Sequence, residues 1–477
     1  MNLALLIINI FLTNILYIIT GKLFIHKILY SKNENSEEFG IFGIILISFT
    51  AFIINFFIPL NYFVNLIFYI LIFITFIFTK IKFEKNDIII LIISILITLL
   101  LLVFTTEYRP DAGLYHLPYV QILNENNIIL GLSNLHSRFG HVSIIQYLSA
   151  FNYNLIGKEI STLIPIASIA SFIYIYFFKD LYLFFKQKKE ISYGLIFSIM
   201  ISIYIFYKIN RYSEFGNDGP AHLFIFYFIS KFLYNENYSV KKYYEFLIFS
   251  IFAFLNKVFF IILFLIPFVC FIKNLKYWKK LIFNFYSLIL ILWLIKNILI
   301  SGCLIYPMQS TCITNIGWVD INSVKVAEIE GEAWSKGWPQ NIDNNINIEN
   351  FSKNFLWLKA WSSSHLKYIL KILSPYLLVI ILILLYTNVY KKDLGSKKLF
   401  LSNEKKIILF LISFIGTILF FLKFPLYRYG YSYLIIFICF LIIFLKKQFS
   451  YKKLINVAVI TFYLGLSIIF TKQIIRV

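Results

Sequence analysis

The feature of this sequence that most restricts its fold is the recurrence of long apolar segments. Runs of about 18 or more apolar residues return throughout the 477 residues, and a helix of that length crosses a hydrocarbon core of roughly 30 Å. Charged residues make up 14% of the chain, well below the roughly one quarter that is typical of soluble domains. The sequence therefore predicts an all-α fold, a polytopic bundle of transmembrane helices.

The apolar segments predict about fourteen spans. They lie near residues 3–20, 41–58, 62–79, 88–105, 161–178, 191–207, 221–234, 245–256, 258–272, 281–300, 373–390, 406–423, 431–446 and 454–471.

Lysines are concentrated in every second loop between these segments, for example in 273–280 and 391–406. Cytoplasmic loops of membrane proteins carry such an excess of Lys and Arg. The formal charge of +21 is therefore a signal of topology, and no soluble domain is predicted that would present a basic patch to nucleic acid. Both termini are expected outside the cytoplasm, together with the loops 106–160, 208–220, 301–372 and 424–430.

The pattern divides the chain into five regions. These are N-terminal transmembrane helices (1–105), a first outer loop with an acidic motif (106–160), central transmembrane helices (161–300), a second, Trp-rich outer loop (301–372) and C-terminal transmembrane helices (373–477). In the first outer loop, apolar residues recur at helical spacing in 112–126 and 141–151. Two amphipathic helices are expected there, lying in the membrane interface.

The second outer loop holds five of the seven tryptophans. Tryptophan is enriched at membrane interfaces, which favours anchoring; stacking against a sugar ring is the alternative. The loop also contains Cys303 and Cys312, whereas Cys270 and Cys439 fall in predicted spans. A pair at this spacing outside the cytoplasm is expected to form a disulfide that closes a small loop around Tyr306.

The first outer loop begins with Glu107-Tyr-Arg-Pro-Asp111, directly after a predicted span. A carboxylate there can act as general base toward a hydroxyl or bind a divalent metal through its oxygens. Asp111 also precedes a predicted helix, so capping of that helix is a third interpretation. We take Asp111 as the main catalytic candidate and Glu107 as the second. If a metal takes part, we expect Mg²⁺ or Mn²⁺ on Asp111 and Asp218.

Basic side chains and imidazoles on the predicted outer face are candidates for binding a phosphate. Arginine presents a planar fork that matches phosphate oxygens, and an imidazolium can share that role. Contact with lipid headgroups and ordinary packing are the alternative interpretations. The predicted ligands of a donor phosphate are Arg138, His116, His136, Arg428 and Lys257, with His141 beside them.

A second charged group lies in the outer loop 208–220, where Arg211, Glu214 and Asp218 occur close together. It would position an acceptor or contribute to a metal site, although a turn explains the Asn-Asp-Gly-Pro sequence equally well. Lys296 lies near the end of a predicted span. Ionisable residues in spans mark functional sites, and snorkelling to the interface is the alternative for this lysine.

Several familiar motifs are missing from the sequence. It contains no Walker A or GxGxxG phosphate loop and no GxSxG nucleophile turn. His and Cys residues do not occur at the spacing of a structural zinc site. ATP-driven transport by this chain alone is therefore not expected.

The acidic motif RPDAGLYHLP around Asp111, followed by NLHSRFG, resembles the GT-C superfamily of integral-membrane glycosyltransferases. The segments KNILISGCLIYP (296–307) and PLYRYG (425–430) resemble the donor-site elements of that superfamily at outer helix ends. The resemblance implies a sugar donor linked to a polyprenyl phosphate or pyrophosphate. It also implies that Asp111 deprotonates the acceptor hydroxyl for displacement with inversion, while Arg138 and Arg428 hold the leaving phosphate.

The expected protein is thus a glycosyltransferase of the bacterial inner membrane, with its active site facing the periplasm or exterior. Its partners would be the bilayer, the lipid-linked sugar donor and a glycan or lipid acceptor. An O-antigen-type polysaccharide polymerase is the second enzyme hypothesis; it would depend on arginines rather than on a carboxylate. A flippase or transporter of lipid-linked glycans is the non-enzyme hypothesis, which predicts ionisable residues deep in the spans.

Overall fold

A computed structural model gives the fold of the chain. It describes residues 3–27, 36–79, 81–103, 111–209, 212, 215–340, 347–388, 397–445 and 448–476. These residues are almost entirely helical, which confirms the predicted all-α class. The exception is a two-residue antiparallel pair, β1 (Lys397–Lys398) with β2 (Gln448–Phe449).

The helices make up most of the described part of the chain. The α-helices are α1 (Leu3–Lys27), α2 (Ser36–Ile54), α3 (Tyr62–Phe78), α4 (Lys85–Val103), α5 (Leu117–Glu125), α6 (Ile144–Phe151), α7 (Lys158–Ser161), α8 (Ile164–Phe185), α9 (Tyr193–Lys208), α10 (Asp218–Tyr234), α11 (Val240–Asn256), α12 (Leu265–Ile272), α13 (Trp278–Ile282), α14 (Phe285–Ser301), α15 (Ile321–Ser335), α16 (Ile348–Phe351), α17 (Leu358–Trp361), α18 (Lys367–Asn388), α19 (Asn403–Lys423), α20 (Tyr431–Leu445) and α21 (Tyr451–Arg476). Two π-helical segments, Ala112–His116 and Ser362–Leu366, precede α5 and α18, and 3₁₀ segments are Leu132–Asn134, Ser137–Gly140, Val258–Phe264, Leu275–Tyr277, Gln309–Thr311 and Trp338–Gln340.

Seven helical stretches in the described part of the chain are long and apolar enough to cross a membrane, and an eighth arises if Val258–Ile272 and Leu275–Ile282, bent by 94°, count as one span. The seven are Leu3–Lys27, Ser36–Ile54, Lys85–Val103, Ile164–Phe185, Leu358–Leu385, Asn403–Lys423 and Lys452–Thr471. Several apolar helices of spanning length are consistent with the predicted membrane protein. Each predicted apolar segment coincides with a helix, but the count of about fourteen spans is not established by these lengths.

Close helix contacts depend on glycine where α1 meets α2. A Cβ added at Gly21 would lie 1.8 Å from the Phe39 carbonyl oxygen, and one at Gly43 would lie 1.8 Å from the Tyr17 oxygen. Small residues allow backbones to approach in this way in membrane bundles. Side-chain hydrogen bonds also join helices, since Ser168 Oγ donates to Asn14 Oδ1 over 2.7 Å and so links α8 to α1.

The short helix α6 differs from the amphipathic helix that was predicted. All eight of its residues are buried within the protein, so it is a core element and presents no face to the surroundings. Its Tyr147 and Phe151 rings pack edge-on against Phe52 of α2 and Phe68 of α3, at centroid distances of 5.3 and 5.0 Å. Asn124 donates a 2.7 Å hydrogen bond to the Ala150 carbonyl, which satisfies one of the carbonyl groups left open at a helix end.

The Trp-rich segment forms a small core of its own on the end of α19. Trp357 and Trp361 pack edge-on at 6.0 Å, and both contact Phe421 at 5.3 Å. The Trp361 indole donates a 2.6 Å hydrogen bond to the Pro425 carbonyl. Because Pro425 begins the PLYRYG connection between α19 and α20, this cluster fixes the backbone that carries Arg428.

Candidate functional site

Four charged residues that are far apart in the sequence meet at one end of the bundle. Asp111 precedes the first π-helical segment, Asp218 begins α10, Lys257 follows α11, and Arg428 lies between α19 and α20. Arg428 Nη1 lies 3.7 Å from Asp111 Oδ2, and its Nε lies 3.2 Å from Asp218 Oδ2. Lys257 Nζ forms an ion pair with the other Asp218 oxygen. The guanidinium of Arg428 therefore joins the two carboxylates.

The two carboxylates have different surroundings. Burial raises the pKa of Asp218, but Lys257 and Arg428 more than offset that effect and hold the pKa below its ordinary value. Asp218 is thus a stable anion that balances two cations. Among the described residues, Asp111 has the longer contact with Arg428, and its side chain is 46% exposed, so it is the carboxylate that is more open to a reacting group.

Asp111 does not cap the helix that follows it. Its backbone is already helical, with φ −56° and ψ −34°, and its side chain makes no capping hydrogen bond. An N-cap residue needs an extended backbone for its side chain to reach back to the first amide groups. The capping interpretation is therefore wrong, and the carboxylate points to other partners.

The aromatic ring of Tyr429 lies close to both cations, Lys257 and Arg428. Lys257 Nζ lies 3.9 Å from the centroid of the Tyr429 ring, and the Arg428 guanidinium carbon lies 5.7 Å from it. Cations over an aromatic face are attracted by the ring quadrupole. Tyr429 was not among the predicted site residues; its place directly after Arg428 is the signal in the sequence that points to it.

His222 holds the backbone of Arg428 from within α10. Its Nε2 lies 2.7 Å from the Arg428 carbonyl oxygen, and its Nδ1 lies 3.0 Å from Ser432 Oγ. A carbonyl only accepts, so Nε2 carries the proton and Nδ1 accepts from the serine hydroxyl. His222 also was not predicted, although it lies four residues after Asp218, on the same face of the helix.

His116 adjoins the charged group as a neutral imidazole. Burial lowers its pKa to about 4, a shift to which Lys257 and Arg428 contribute and which the two aspartates oppose. Gln146 Nε2 donates to His116 Nδ1 over 3.3 Å. Burial thus disfavours the imidazolium form of His116, and the neutral ring can still take part in a hydrogen bond.

Arg138 lies over the ring of Tyr115. Its guanidinium carbon lies 5.8 Å from the Tyr115 ring centroid, and the same ring stacks at 6.2 Å on His136. Burial and the charge of Asp111 raise the pKa of Tyr115, whereas Arg138 and Arg428 act in the opposite direction. Tyr115 is therefore under the electrostatic influence of both predicted arginines, and its hydroxyl remains protonated.

The loop between Cys303 and Cys312 packs against His141 beside the site. The structure joins Cys303 and Cys312 in a disulfide, and Tyr306 within the loop meets the His141 ring edge-on at 5.4 Å. A Cβ added at Gly140 would lie 2.6 Å from the Tyr306 ring. Burial lowers the pKa of His141 to about 3, with Arg138 and Lys257 adding to the shift. His141 is thus a packed, neutral ring that contributes no positive charge.

Some predicted residues fall elsewhere. Glu107, Arg211 and Glu214 lie outside the described residues. Lys296 is fully buried in α14, where its Nζ donates to Asn55 Oδ1 over 2.8 Å and lies 4.5 Å from the Tyr147 ring. It does not snorkel to the interface; its amino group is surrounded by aromatic rings inside the bundle.

Among the residues that the structure describes, no three His, Cys, Asp or Glu side chains come together in an arrangement that could hold a metal ion. Asp111 and Asp218, the predicted metal ligands, have the Arg428 guanidinium between them.

Comparison with known proteins gives one match. Residues 3–435 match a family described as a domain of unknown function, DUF8201. No curated protein and no solved structure matches the chain.

Proposed function

This chain belongs to the DUF8201 family, and for it we propose a membrane glycosyltransferase. The enzyme moves a sugar from a polyprenyl-phosphate-linked donor to a hydroxyl of a glycan, glycolipid or other acceptor. Asp111 is the general base. The observation that carries the proposal is the contact of Arg428 with both Asp111 and Asp218, because it places an exposed carboxylate directly beside cations that suit a phosphate.

The charges of the described site favour an anionic ligand. Lys257, Arg428 and Arg138 provide three cationic groups, against the two carboxylates Asp111 and Asp218. Asp218 lies at the first residue of α10, where the helix dipole adds positive potential. A guanidinium and an ammonium group at this position can hold the phosphate of a lipid-linked sugar.

In the proposed reaction these groups accept the proton and stabilise the leaving group. Asp111 takes the proton from the acceptor hydroxyl as its oxygen forms a bond to the anomeric carbon of the donor sugar. The bond between that carbon and the phosphate oxygen breaks, and the phosphate leaves with the electron pair. Arg428 and Lys257 stabilise the charge that develops on the leaving phosphate, and attack from the opposite face inverts the anomeric centre.

The location and topology belong to the same proposal. About fourteen spans, lysine-rich loops in the cytoplasm and the Asp111 site outside would place the chemistry on the outer face of a bacterial inner membrane. A donor held in the bilayer by its polyprenyl chain and an acceptor approaching from water meet at that level. Mg²⁺ or Mn²⁺, if used, would bind Asp111 and Asp218 in the position that Arg428 takes, so metal binding and the present contacts are alternatives.

The test is sugar transfer by the purified protein in lipid vesicles with polyprenyl-phosphate sugars. We expect transfer by the native protein and by Glu330→Gln, a matched control because Glu330 is an exposed carboxylate on α15, and loss of transfer in Asp111→Asn. Full transfer by Asp111→Asn would refute the role of Asp111. If that variant were active and Arg138→Gln or Arg428→Gln inactive, the polymerase hypothesis would be favoured.

A transporter would behave differently in the same vesicles. It would move the lipid-linked sugar between leaflets without forming a new glycosidic bond. Movement without transfer would therefore replace the enzyme proposal with the flippase hypothesis.

A further inference from the structure

The turn before α17 has an unusual backbone and exposed apolar side chains. Asn354 and Phe355 have φ values of +49° and +59°, a left-handed conformation that is strained for a bulky residue such as Phe. Phe355 is 52% exposed and Leu356 is 51% exposed. A strained conformation persists only where the surrounding structure enforces it. The fold therefore maintains the exposure of this apolar pair.

Contacts of Trp357 and Lys336 hold the turn in place. Trp357, the next residue, is fully buried against Phe421. Lys336 Nζ donates a 3.0 Å hydrogen bond to the Ser352 carbonyl and lies 5.1 Å from the Trp357 ring. These contacts fix the residues on both sides of the turn that carries Phe355 and Leu356.

The exposed pair is continuous with a surface of membrane-spanning character. Leu358, which is 39% exposed, begins the candidate span Leu358–Leu385, of which only 33% of the apolar window is buried within the protein. Further exposed apolar side chains follow along this stretch at Leu366, Tyr368, Leu370, Leu377 and Ile381. Exposed apolar side chains of this kind are suited to contact with hydrocarbon.

The charges beside the turn match a lipid headgroup layer. Lys353 and Lys359, on either side of the exposed pair, are themselves exposed. Basic residues near a membrane surface are attracted to anionic lipids. An apolar pair between two lysines thus fits the boundary between acyl chains and phosphate groups.

We propose that the Asn354–Leu356 turn is a membrane anchor that inserts Phe355 and Leu356 among the lipid chains at the edge of one leaflet. The anchor belongs to the Trp357–Trp361 cluster, and Trp361 bonds the Pro425 carbonyl. It therefore sets the height above the bilayer of the segment that carries Arg428. This inference does not depend on the activity proposed above.

The experiment places a nitroxide label at Phe355→Cys in nanodiscs of phosphatidylcholine and phosphatidylglycerol. Relaxation by oxygen, which concentrates in hydrocarbon, is compared with relaxation by a water-soluble nickel chelate. Glu330→Cys on α15 is the matched control, since Glu330 is exposed and charged. Cys270 and Cys439 are buried and Cys303 is bonded to Cys312, and the unsubstituted protein gives the background.

We expect oxygen to dominate at position 355 and the nickel chelate to dominate at position 330. Equal access of the chelate at both positions would overturn the proposal. So would shielding of position 355 from both reagents, because it would show a protein contact at the turn. If Phe355→Cys fails to fold, Leu356→Cys provides the same measurement one residue later.

Discussion

His222 donates a 2.7 Å hydrogen bond from Nε2 to the carbonyl oxygen of Arg428. The two residues are 206 positions apart in the sequence, and the bond joins α10 to the connection between α19 and α20. Because the Arg428 guanidinium touches both Asp111 and Asp218, a buried histidine determines the position of the central cation without itself facing a ligand. His222 is thus a positioning residue.

Replacement of His222 by Phe is expected to weaken donor binding. The Arg428 carbonyl would lose its donor, which costs roughly 1–3 kcal/mol for a buried group, and the guanidinium would shift relative to both carboxylates. KM for the lipid-linked donor should rise more than kcat falls, and His222→Gln, which retains a donor, should recover part of the affinity. Steady-state kinetics in vesicles give both constants.

The control for this prediction is His26→Phe in α1, which removes a half-buried histidine at the lysine-rich end of the bundle. It should leave both constants unchanged. Equal loss in His222→Phe and His222→Gln, or a fall in kcat alone, would contradict a positioning role.

The two aspartates should respond differently to the same substitution. Asp111→Asn removes the proposed base and should lower kcat by about 10²–10⁴-fold, with little effect on the thermal midpoint. Asp218→Asn removes the anion that balances Lys257 and Arg428, so it should lower the thermal midpoint and raise KM. Parallel unfolding and kinetic measurements on both variants test this; similar behaviour of the two would argue against separate roles.

Stability should depend on pH through His116. The pKa of this imidazole is about 4 in the folded protein, whereas an unfolded histidine titrates near about 6.5. Between these values the unfolded chain binds a proton that the folded site excludes, so the free energy of unfolding falls as the pH is lowered. The contribution is complete above about 6.5 and is lost as the pH falls toward the folded pKa.

His116→Asn removes this titration. We therefore expect a smaller loss of thermal stability between pH 6.5 and 4 in the variant than in the native protein, measured as the midpoint of unfolding in one detergent. An unchanged dependence on pH would show that other groups control it.

The helices and the charged residues of the site could be predicted from the sequence, but their contacts could not. Apolar length indicates a helix because each segment must satisfy its own backbone hydrogen bonds in a membrane. Asp111, Asp218, Lys257 and Arg428 stand out as charges at helix ends. Their meeting depends on how α10, α11, α19 and α20 pack, which a single sequence does not reveal.

The surroundings of α6 and of two histidines could not be predicted from the sequence, for physical reasons. An apolar helix face fits lipid and protein interior equally well, so the pattern of α6 did not distinguish an exposed helix from a buried one. His222 lies in an apolar helix, where a histidine resembles ordinary packing until its partners are known. The burial of His116, which lowers its pKa, depends on tertiary contacts that the sequence does not show.

The disulfide is expected to stabilise the predicted second outer loop, 301–372. Cys303 and Cys312 are nine positions apart, and closing a loop of that length contributes about 2–3 kcal/mol in a chain-entropy estimate. Cys303→Ser and Cys312→Ser should each lower the thermal midpoint, and reduction of the native protein should have the same effect. Two reactive thiols, from Cys270 and Cys439, should be found after unfolding without reductant; four would show that the bond does not form in cells.

The orientation of the site can be tested on whole cells. Leu135 lies between the two 3₁₀ segments of the first outer loop and is 73% exposed, so a cysteine there is open to reagents. If the lysine-rich loops are cytoplasmic, Leu135→Cys should react with a membrane-impermeant maleimide in intact spheroplasts. Lys188→Cys, at an exposed position after α8, is the matched control and should react only after lysis. Reversal of the two patterns would place the Asp111 site in the cytoplasm, and the substrate would then have to be a donor that is presented on the inner leaflet.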